Sequence, residues 1–263
     1  MPDWWDLQFA GLALSKGTIY GHKVVNKFGR APSGIQSTMT DVWDRADATP
    51  TQSIWLAPTT GRQHIIISSS DADSGGGTGM RTIRVFGLQN WNDRESSEEV
   101  TLLGTASSVV TGSSYVIIHR MRGVTFGSSN SANLGTIQAL AQADSTVTAQ
   151  INAKEGQTQM AIYGVPRAQT AYVTSYYGTL NKSQGAASTV NFSFVVNPEP
   201  EEQTTSFIIK NTRGLQSTGN SADTWNWHLP YKVSGPAILK VEGQANTNDI
   251  EASAGFEVVL VDN

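Results

Sequence analysis

Short apolar runs alternate with polar turns along most of the chain, from about residue 50 to the C-terminus. In Arg81–Leu88, Ile83 and Val85 fall on one face of an extended segment, and Arg84 falls on the other. The run Glu98–Thr105 alternates in the same way. Alternation with a period of two, broken by Gly, Ser, Asn and Asp, is typical of antiparallel strands with one buried face. The pattern therefore predicts an all-β protein.

We expect a strand wherever such a run occurs. The predicted strands are Ser53–Leu56, Gln63–Ser68, Arg81–Leu88, Glu98–Leu103, Ser114–Arg122, Gly135–Leu140, Gln159–Val165, Thr170–Leu180, Thr189–Val196, Thr205–Asn211, Trp225–Leu229, Ala237–Ala245 and Gly255–Asp262. Pro166–Gln169 has the composition of a hairpin turn between two of them. Leu134–Lys154 stays open, because its Ala and Gln favour a helix whereas its Thr and Val favour strands.

The order of these patterns predicts an arm followed by two domains. Residues 1–47 contain clustered aromatics and repeated Gly and Pro, so we expect an extended N-terminal arm with one strand within Ile19–Gly29. Residues 48–152 and 153–263 each supply about 100 residues, which is enough for one sandwich. Regular strand spacing fits a sandwich or a jelly roll. The predicted architecture is thus two β-sandwich or jelly-roll-like domains with an extended N-terminal arm.

The composition argues against several classes of function. Charged residues make up 15% of the chain and the formal net charge is −4, so we expect no broad basic field that attracts nucleic acid. The chain has no cysteine, which removes disulfides, thiolate nucleophiles and zinc–thiolate sites. It also lacks an apolar run of about 18 residues, the length needed to span a membrane. We therefore expect neither a nucleic acid, nor a membrane, nor a cofactor as partner.

No motif brings catalytic or metal-binding side chains together. Asp71–Gly79 begins like a calcium loop, but Gly75 and Thr82 stand where later ligands are needed, so we expect an inter-strand loop. Acidic pairs such as Glu98-Glu99 fall at strand edges or in loops, where neighbouring carboxylates are usually solvated. No metal-ligand spacing links the four histidines, which are His22, His64, His119 and His228. We expect no catalytic residue, no metal site and no enzyme activity.

Aromatic side chains mark the candidate contact surfaces. Trp225 and Trp227 are two residues apart, so a strand places both indoles on one face, and Trp91 lies in a polar loop. Exposed rings beside Asn and Asp would stack on sugars. Buried rings would instead pack in a core or in a subunit contact, and we favour burial. The candidate residues for a contact between subunits are those of the arm: Trp4, Trp5, Phe9, Tyr20 and Phe28.

Six segments resemble one known group of proteins. They are Gly21–Gly29 (GHKVVNKFG), Asp41–Asp44 (DVWD), Gly79–Leu88 (GMRTIRVFGL), Glu99–Gly104 (EVTLLG), Met160–Ala171 (MAIYGVPRAQTA) and Ser253–Asn263 (SAGFEVVLVDN). In sequence and in order along the chain they are similar to a group of small structural proteins of tailed bacteriophages. The resemblance implies a β-rich protein that decorates or completes a virus particle, and it implies no catalytic residue.

Our first hypothesis is therefore a capsid decoration, or cement, protein that stabilises the head lattice through contacts between subunits. It implies a virion protein, assembled in the host cytoplasm, that forms a homo-oligomer (a trimer is favoured). Its partners would be the major capsid protein or neighbouring virion proteins. The alternative is a neck, tail or fibre component that binds a receptor or glycan through Trp91, Trp225 and Trp227. A third hypothesis, a glycan hydrolase carried on the virion, has only scattered carboxylates in its favour.

Overall fold

The computed structural model describes residues 11–47, 52–58, 60–129, 132–142, 145–180, 188–202 and 206–263. It is nearly all β, with several antiparallel sheets, which confirms the all-β character of the predicted fold. Residues 11–15 are helical, and 3₁₀ turns occur at Asp44–Asp47 and Pro200–Glu202. None of the described helices is long and apolar enough to cross a membrane.

The strands follow one another in this order: β1 (His22–Ile35), β2 (Thr40–Asp41), β3 (His64–Ser68), β4 (Met80–Leu88), β5 (Ser96–Thr101), β6 (Val109–Val110), β7 (Ile117–Phe126), β8 (Ile137–Ala141), β9 (Val147–Ile151), β10 (Ile162–Val165), β11 (Gln169–Leu180), β12 (Thr189–Asn197), β13 (Ile208–Gln216), β14 (Ala222–Ser234), β15 (Ala237–Ala245) and β16 (Ile250–Asp262).

β1 and β10 to β16 form a first pair of antiparallel sheets. Their strand orders are β1-β16-β11-β14 and β10-β15-β12-β13, and β2 pairs with β15 next to the end of β10. Numbered along the chain, these eight strands have the orders 1-8-3-6 and 2-7-4-5. Every connection between consecutive members except that from β12 to β13 leads from one sheet to the other. The hairpin predicted at Pro166–Gln169 is therefore wrong, because β10 and β11 lie in different sheets.

Aromatic rings fill the space between the two sheets. Phe194 of β12 lies at the centre of this contact and is fully buried. Its ring centroid is 5.5 Å from those of Phe256 in β16 and Trp227 in β14, and 5.9 Å from that of Tyr176 in β11. Rings at these separations attract each other in addition to the apolar area they bury. The inward-facing residues of both sheets thus form one apolar layer.

A second pair of sheets lies in the chain between β2 and β10. Its strand orders are β6-β3-β8-β9 and β5-β4-β7. β8 and β9 resolve the ambiguous segment Leu134–Lys154 in favour of strands. Ser53–Leu56 is not a strand, so that prediction is wrong. A side-chain hydrogen bond fixes this segment instead of strand pairing. The indole N–H of Trp55 donates to the backbone oxygen of Thr148 at 2.8 Å.

Residues 22–41, which we expected to belong to the extended arm, take part in the first pair of sheets. β1 pairs with β16 from His22 opposite Val261 to Ala31 opposite Ala252 and, after a shift of register, at Ile35 opposite Ile250. The strand predicted within Ile19–Gly29 is therefore present and is longer than predicted. The division into an arm (1–47) and two domains (48–152 and 153–263) stays a prediction.

A buried ion pair fastens β2 to β15. Lys240 Nζ lies 2.6 Å from Asp41 Oδ1 and 3.3 Å from Glu242 Oε2. The second carboxylate oxygen of Asp41 accepts a hydrogen bond from the backbone N–H of Trp55 at 2.8 Å. Burial raises the pKa of the Asp41 carboxyl, and the charge of Lys240 opposes this shift. Removing one partner would leave a buried charge without compensation, which is strongly destabilising.

Candidate functional site

β13 and β14 are the last strands of the two sheets in the first pair. In the described part of the chain, β13 pairs only with β12 and β14 pairs only with β11. One backbone edge of each strand is therefore unpaired, and such edges are available for contact with another chain. We use the name β13–β14 edge for these two strands together with five of their side chains that are at least partly exposed: Ile208, Ile209, Trp225, Trp227 and Leu229.

The two tryptophans of β14 are half-buried and pack against the core. The Trp227 ring centroid is 5.5 Å from that of Tyr176 and 6.1 Å from that of Tyr231. The guanidinium carbon of Arg213 lies 4.8 Å from the centroid of the Trp225 ring, in a cation–π arrangement. Both indoles therefore have neighbours on their rings and only part of each ring reaches solvent.

Side chains connect β13 to β14 across the space between the sheets. Arg213 of β13 forms an ion pair with Asp223 of β14 at 2.8 Å. Lys210 Nζ stands 5.8 Å from the ring centroid of Tyr231. Both contacts are partly exposed, so we expect each to contribute at most about 1 kcal/mol to stability. This side of the two sheets is held by weak side-chain contacts and presents unpaired backbone.

Three large aliphatic side chains on these strands face solvent. Ile208, Ile209 and Leu229 are 46%, 55% and 77% exposed. Leu229 lies in a bulge, because β14 advances five residues from Asn226 to Tyr231 while its partner β11 advances only two. A bulge of this kind turns side chains out of the sheet. An exposed apolar group beside aromatic rings is typical of a protein contact surface.

No protein-family model matches the chain, and the search of curated proteins finds no match. The argument for a function therefore rests on the fold and on the β13–β14 edge.

The structure places the other predicted contact residues apart from this edge. Trp91, in the loop after β4, is 7% exposed, so little of its ring is available for stacking on a sugar. Tyr20 precedes β1 and is 93% exposed, whereas Phe28 lies within β1 and is half-buried. The remaining arm candidates, Trp4, Trp5 and Phe9, lie outside the described residues. Of the proposed glycan platform, only Trp225 and Trp227 come together.

The acidic pair considered for catalysis makes structural bonds. The Glu98 carboxylate accepts hydrogen bonds from the backbone N–H of Gly112 at 2.7 Å and from the Tyr115 hydroxyl at 2.8 Å. Its neighbour Glu99 forms an ion pair with Arg84. Across the described ranges, no group of three or more His, Asp or Glu side chains is placed to hold a metal ion. What the β13–β14 edge can offer a partner is apolar area to bury and strand edges to pair.

Sequence reasoning missed the exposed aliphatic residues of the edge. Ile208 and Ile209 fall within the predicted strand Thr205–Asn211, and Leu229 ends the predicted strand Trp225–Leu229. A signal was present, because two adjacent isoleucines cannot both face one side of a strand. Pro230, within the actual β14, is a second signal, since proline in a strand marks an edge or a bulge.

Proposed function

We propose that this protein is a structural component of a virus particle and that it acts as a capsid decoration, or cement, protein. The observation that carries this proposal is the β13–β14 edge, with unpaired strand edges and exposed aliphatic side chains. A cement protein needs such a surface and needs no catalytic group.

The strand orders support the finer assignment of the fold. Eight strands in two sheets of orders 1-8-3-6 and 2-7-4-5 match the arrangement of a jelly roll, and we assign one to β1 and β10–β16. The sheets of residues 44–158 would then be a second sandwich inserted after the first strand. Jelly rolls are common in viral capsid proteins and in lectins. Because a fold hosts many functions, this assignment supports the proposal without deciding it.

Burial of the edge would supply the binding energy. A fully buried Leu or Ile side chain gains about 1.5–3 kcal/mol relative to an exposed one. Covering Ile208, Ile209 and Leu229 would thus contribute several kcal/mol before the costs of association. In a lattice the same contact recurs in every copy. Many contacts of modest affinity then hold the assembly together through avidity. The proposed partners are further copies of this chain, with a trimer favoured, and the major capsid protein.

The second candidate is a neck, tail or fibre component that binds a receptor or a glycan. The half-exposed rings of Trp225 and Trp227 favour it, because jelly rolls also form lectins. A sugar, however, stacks on a free ring face. Arg213 lies over Trp225, and Tyr176 and Tyr231 stand beside Trp227. We therefore prefer a protein partner for this edge.

Cryo-electron microscopy of the particle that contains this chain tests the proposal. A decoration protein is expected in hundreds of copies at the junctions between capsomers. A ring of a few copies at one vertex or along the tail would reject cementing and favour the second candidate. Complete absence of the chain from purified particles would reject both.

A further inference from the structure

A cavity of about 390 Å³ opens between β1 and β7, away from the β13–β14 edge. Four basic residues line it, with Lys23, Arg120 and Arg122 exposed and Lys27 buried. Glu95 is the one carboxylate in the lining. A concentration of positive charge in a chain with net charge −4 is unusual, and it makes this cavity a candidate site for an anion.

The buried part of the lining contains hydrogen-bonding groups without partners. Lys27 is 7% exposed, and its ammonium donates to the backbone oxygen of His119. An ammonium has three N–H groups, and among the described residues this backbone oxygen is the acceptor that Lys27 reaches. The Tyr163 hydroxyl is buried and has no partner among the described residues. Buried donors are nearly always satisfied, so a missing acceptor is expected at this place.

Among the described residues, Glu95 accepts no hydrogen bond from Lys27 or Tyr163, and its carboxylate bonds to other side chains. Its two oxygens lie 2.6 Å from His119 Nε2 and 2.7 Å from Lys23 Nζ. Burial raises the pKa of Glu95, but the hydrogen bonds from His119 and Lys23 and the charge of Lys23 oppose burial and lower the pKa. Burial lowers the pKa of His119, so we assign a neutral imidazole that donates Nε2–H to Glu95.

Within the part of the chain that the structure describes, no carboxylate forms an ion pair with Lys27. Burial, followed by repulsion from Arg120, lowers the pKa of Lys27 to about 7, and the more distant Glu95 only partly opposes this shift. The charged and titratable groups that line the cavity together with Lys27 are Lys23, Glu95, His119, Arg120, Arg122 and Tyr163. An anion in the cavity would meet the charge of Lys27 and accept the unused hydrogen bonds.

We propose that the cavity between β1 and β7 binds a carboxylate or phosphate group through Lys27 and Tyr163, with Arg120 and Arg122 at its rim. The site is independent of the role proposed for the β13–β14 edge. Charge-assisted hydrogen bonds from an ammonium and a hydroxyl are the interactions that such oxygens prefer. The ligand chemistry is the same whether the group is a free anion or the acidic side chain of a neighbouring protein.

Isothermal titration calorimetry with inorganic phosphate and with acetate, in a low-chloride buffer, tests the site. We expect saturable binding of at least one probe. At pH 8 binding should take up protons, because the bound anion restores the charge of Lys27. Buffers with different ionisation enthalpies measure that uptake. Preference for acetate would indicate the carboxylate of a protein partner, and preference for phosphate would indicate a phosphorylated ligand.

Two variants and one control identify the residues involved. Lys27→Met should abolish binding at concentrations that saturate the unchanged protein. Tyr163→Phe keeps the ring that stacks on His119 at 4.4 Å and removes only the hydroxyl, so it should weaken binding about tenfold without changing the melting temperature. Tyr172→Phe, on β11, is the control and should bind normally. No saturable binding of either probe, or equal binding by Lys27→Met, would overturn the proposal.

Discussion

The two sides of the first pair of sheets are closed in different ways. On the side of β1 and β10, the backbone of Val42 donates to Val241, and Lys27 reaches the backbone of His119 in β7. On the side of β13 and β14, the contacts are side-chain pairs such as Arg213 with Asp223. One side is covered by the second pair of sheets, and the other has no such cover in the described part of the chain.

This difference separates stability from binding. The covered side contains buried polar groups whose bonds depend on the whole fold, so we expect mutations there to affect folding. The β13–β14 edge contains partly exposed groups, so we expect mutations there to leave the free protein stable and to affect contact with a partner. The predictions below test this distinction.

The largest contrast is expected between the centre of the aromatic layer and its margin. Phe194→Ala should lower the free energy of unfolding by about 3–5 kcal/mol, because it leaves a cavity against three rings of the facing sheet. Trp225→Ala, at the half-exposed margin, should cost clearly less. Urea denaturation of both variants measures the difference. Equal losses would mean that the margin is as much a part of the core as the centre.

A smaller but still large contrast is expected between two ion pairs. Asp41→Ala should cost about 3 kcal/mol, because it removes the nearer of the two carboxylates that pair with the buried Lys240. Arg213→Ala should cost less than about 1 kcal/mol, since its pair with Asp223 is partly exposed. The same denaturation experiment compares them. If Asp41→Ala lowered the free energy of unfolding as little as Arg213→Ala, the ion pair on the covered side would not contribute more to stability than the exposed one.

The alternation of apolar residues predicted most strands, because local spacing decides which face of a strand is buried. Local spacing does not predict which distant strands pair with each other. Pro166–Gln169 has the composition of a hairpin, yet it connects two different sheets. Residues 22–41 looked like an arm because Gly and Pro interrupt the segment, although β16 accommodates β1 along 14 residues.

The loop Asp71–Gly79 shows the same limitation at a polar site. Its composition predicted an ordinary inter-strand loop. In the structure, the Asp73 carboxylate is fully buried and accepts hydrogen bonds from Ser68 Oγ at 2.8 Å, from the backbone of Met80 at 2.9 Å and from the backbone of Gly135 at 2.7 Å. The last bond spans 62 residues. A local motif cannot reveal it, because the partner is brought near only by the fold.

Lys27, on the covered side, should make the free energy of unfolding depend on pH. Burial lowers the pKa of Lys27 to about 7 in the folded protein, against 10.5 for a lysine exposed to water. Between these values the unfolded chain binds more protons, so stability rises with pH and the penalty is complete below pH 7. We expect a contribution of about 2 kcal/mol between pH 7 and 9. Lys27→Met should remove that slope in denaturation curves, and an unchanged slope would contradict the assignment.

The smallest effect on stability is expected at the β13–β14 edge. Leu229→Asp should change the free energy of unfolding by less than about 0.5 kcal/mol, because Leu229 is 77% exposed. It should nevertheless abolish attachment to particles that lack this chain, as measured by co-sedimentation. Leu103→Asp is the control, since Leu103 follows β5, outside the β13–β14 edge, and is 47% exposed. Equal attachment by both variants would exclude the edge as the contact.

The central claim, that the β13–β14 edge contacts another protein in the particle, is tested most directly by site-specific photo-cross-linking. A photoreactive phenylalanine analogue would replace Leu229 in one variant and Leu103 in another, and each would be assembled into particles and irradiated. We predict a covalent adduct with a neighbouring virion protein or a second copy from position 229 and none from position 103. Adducts from position 103 alone would contradict the claim.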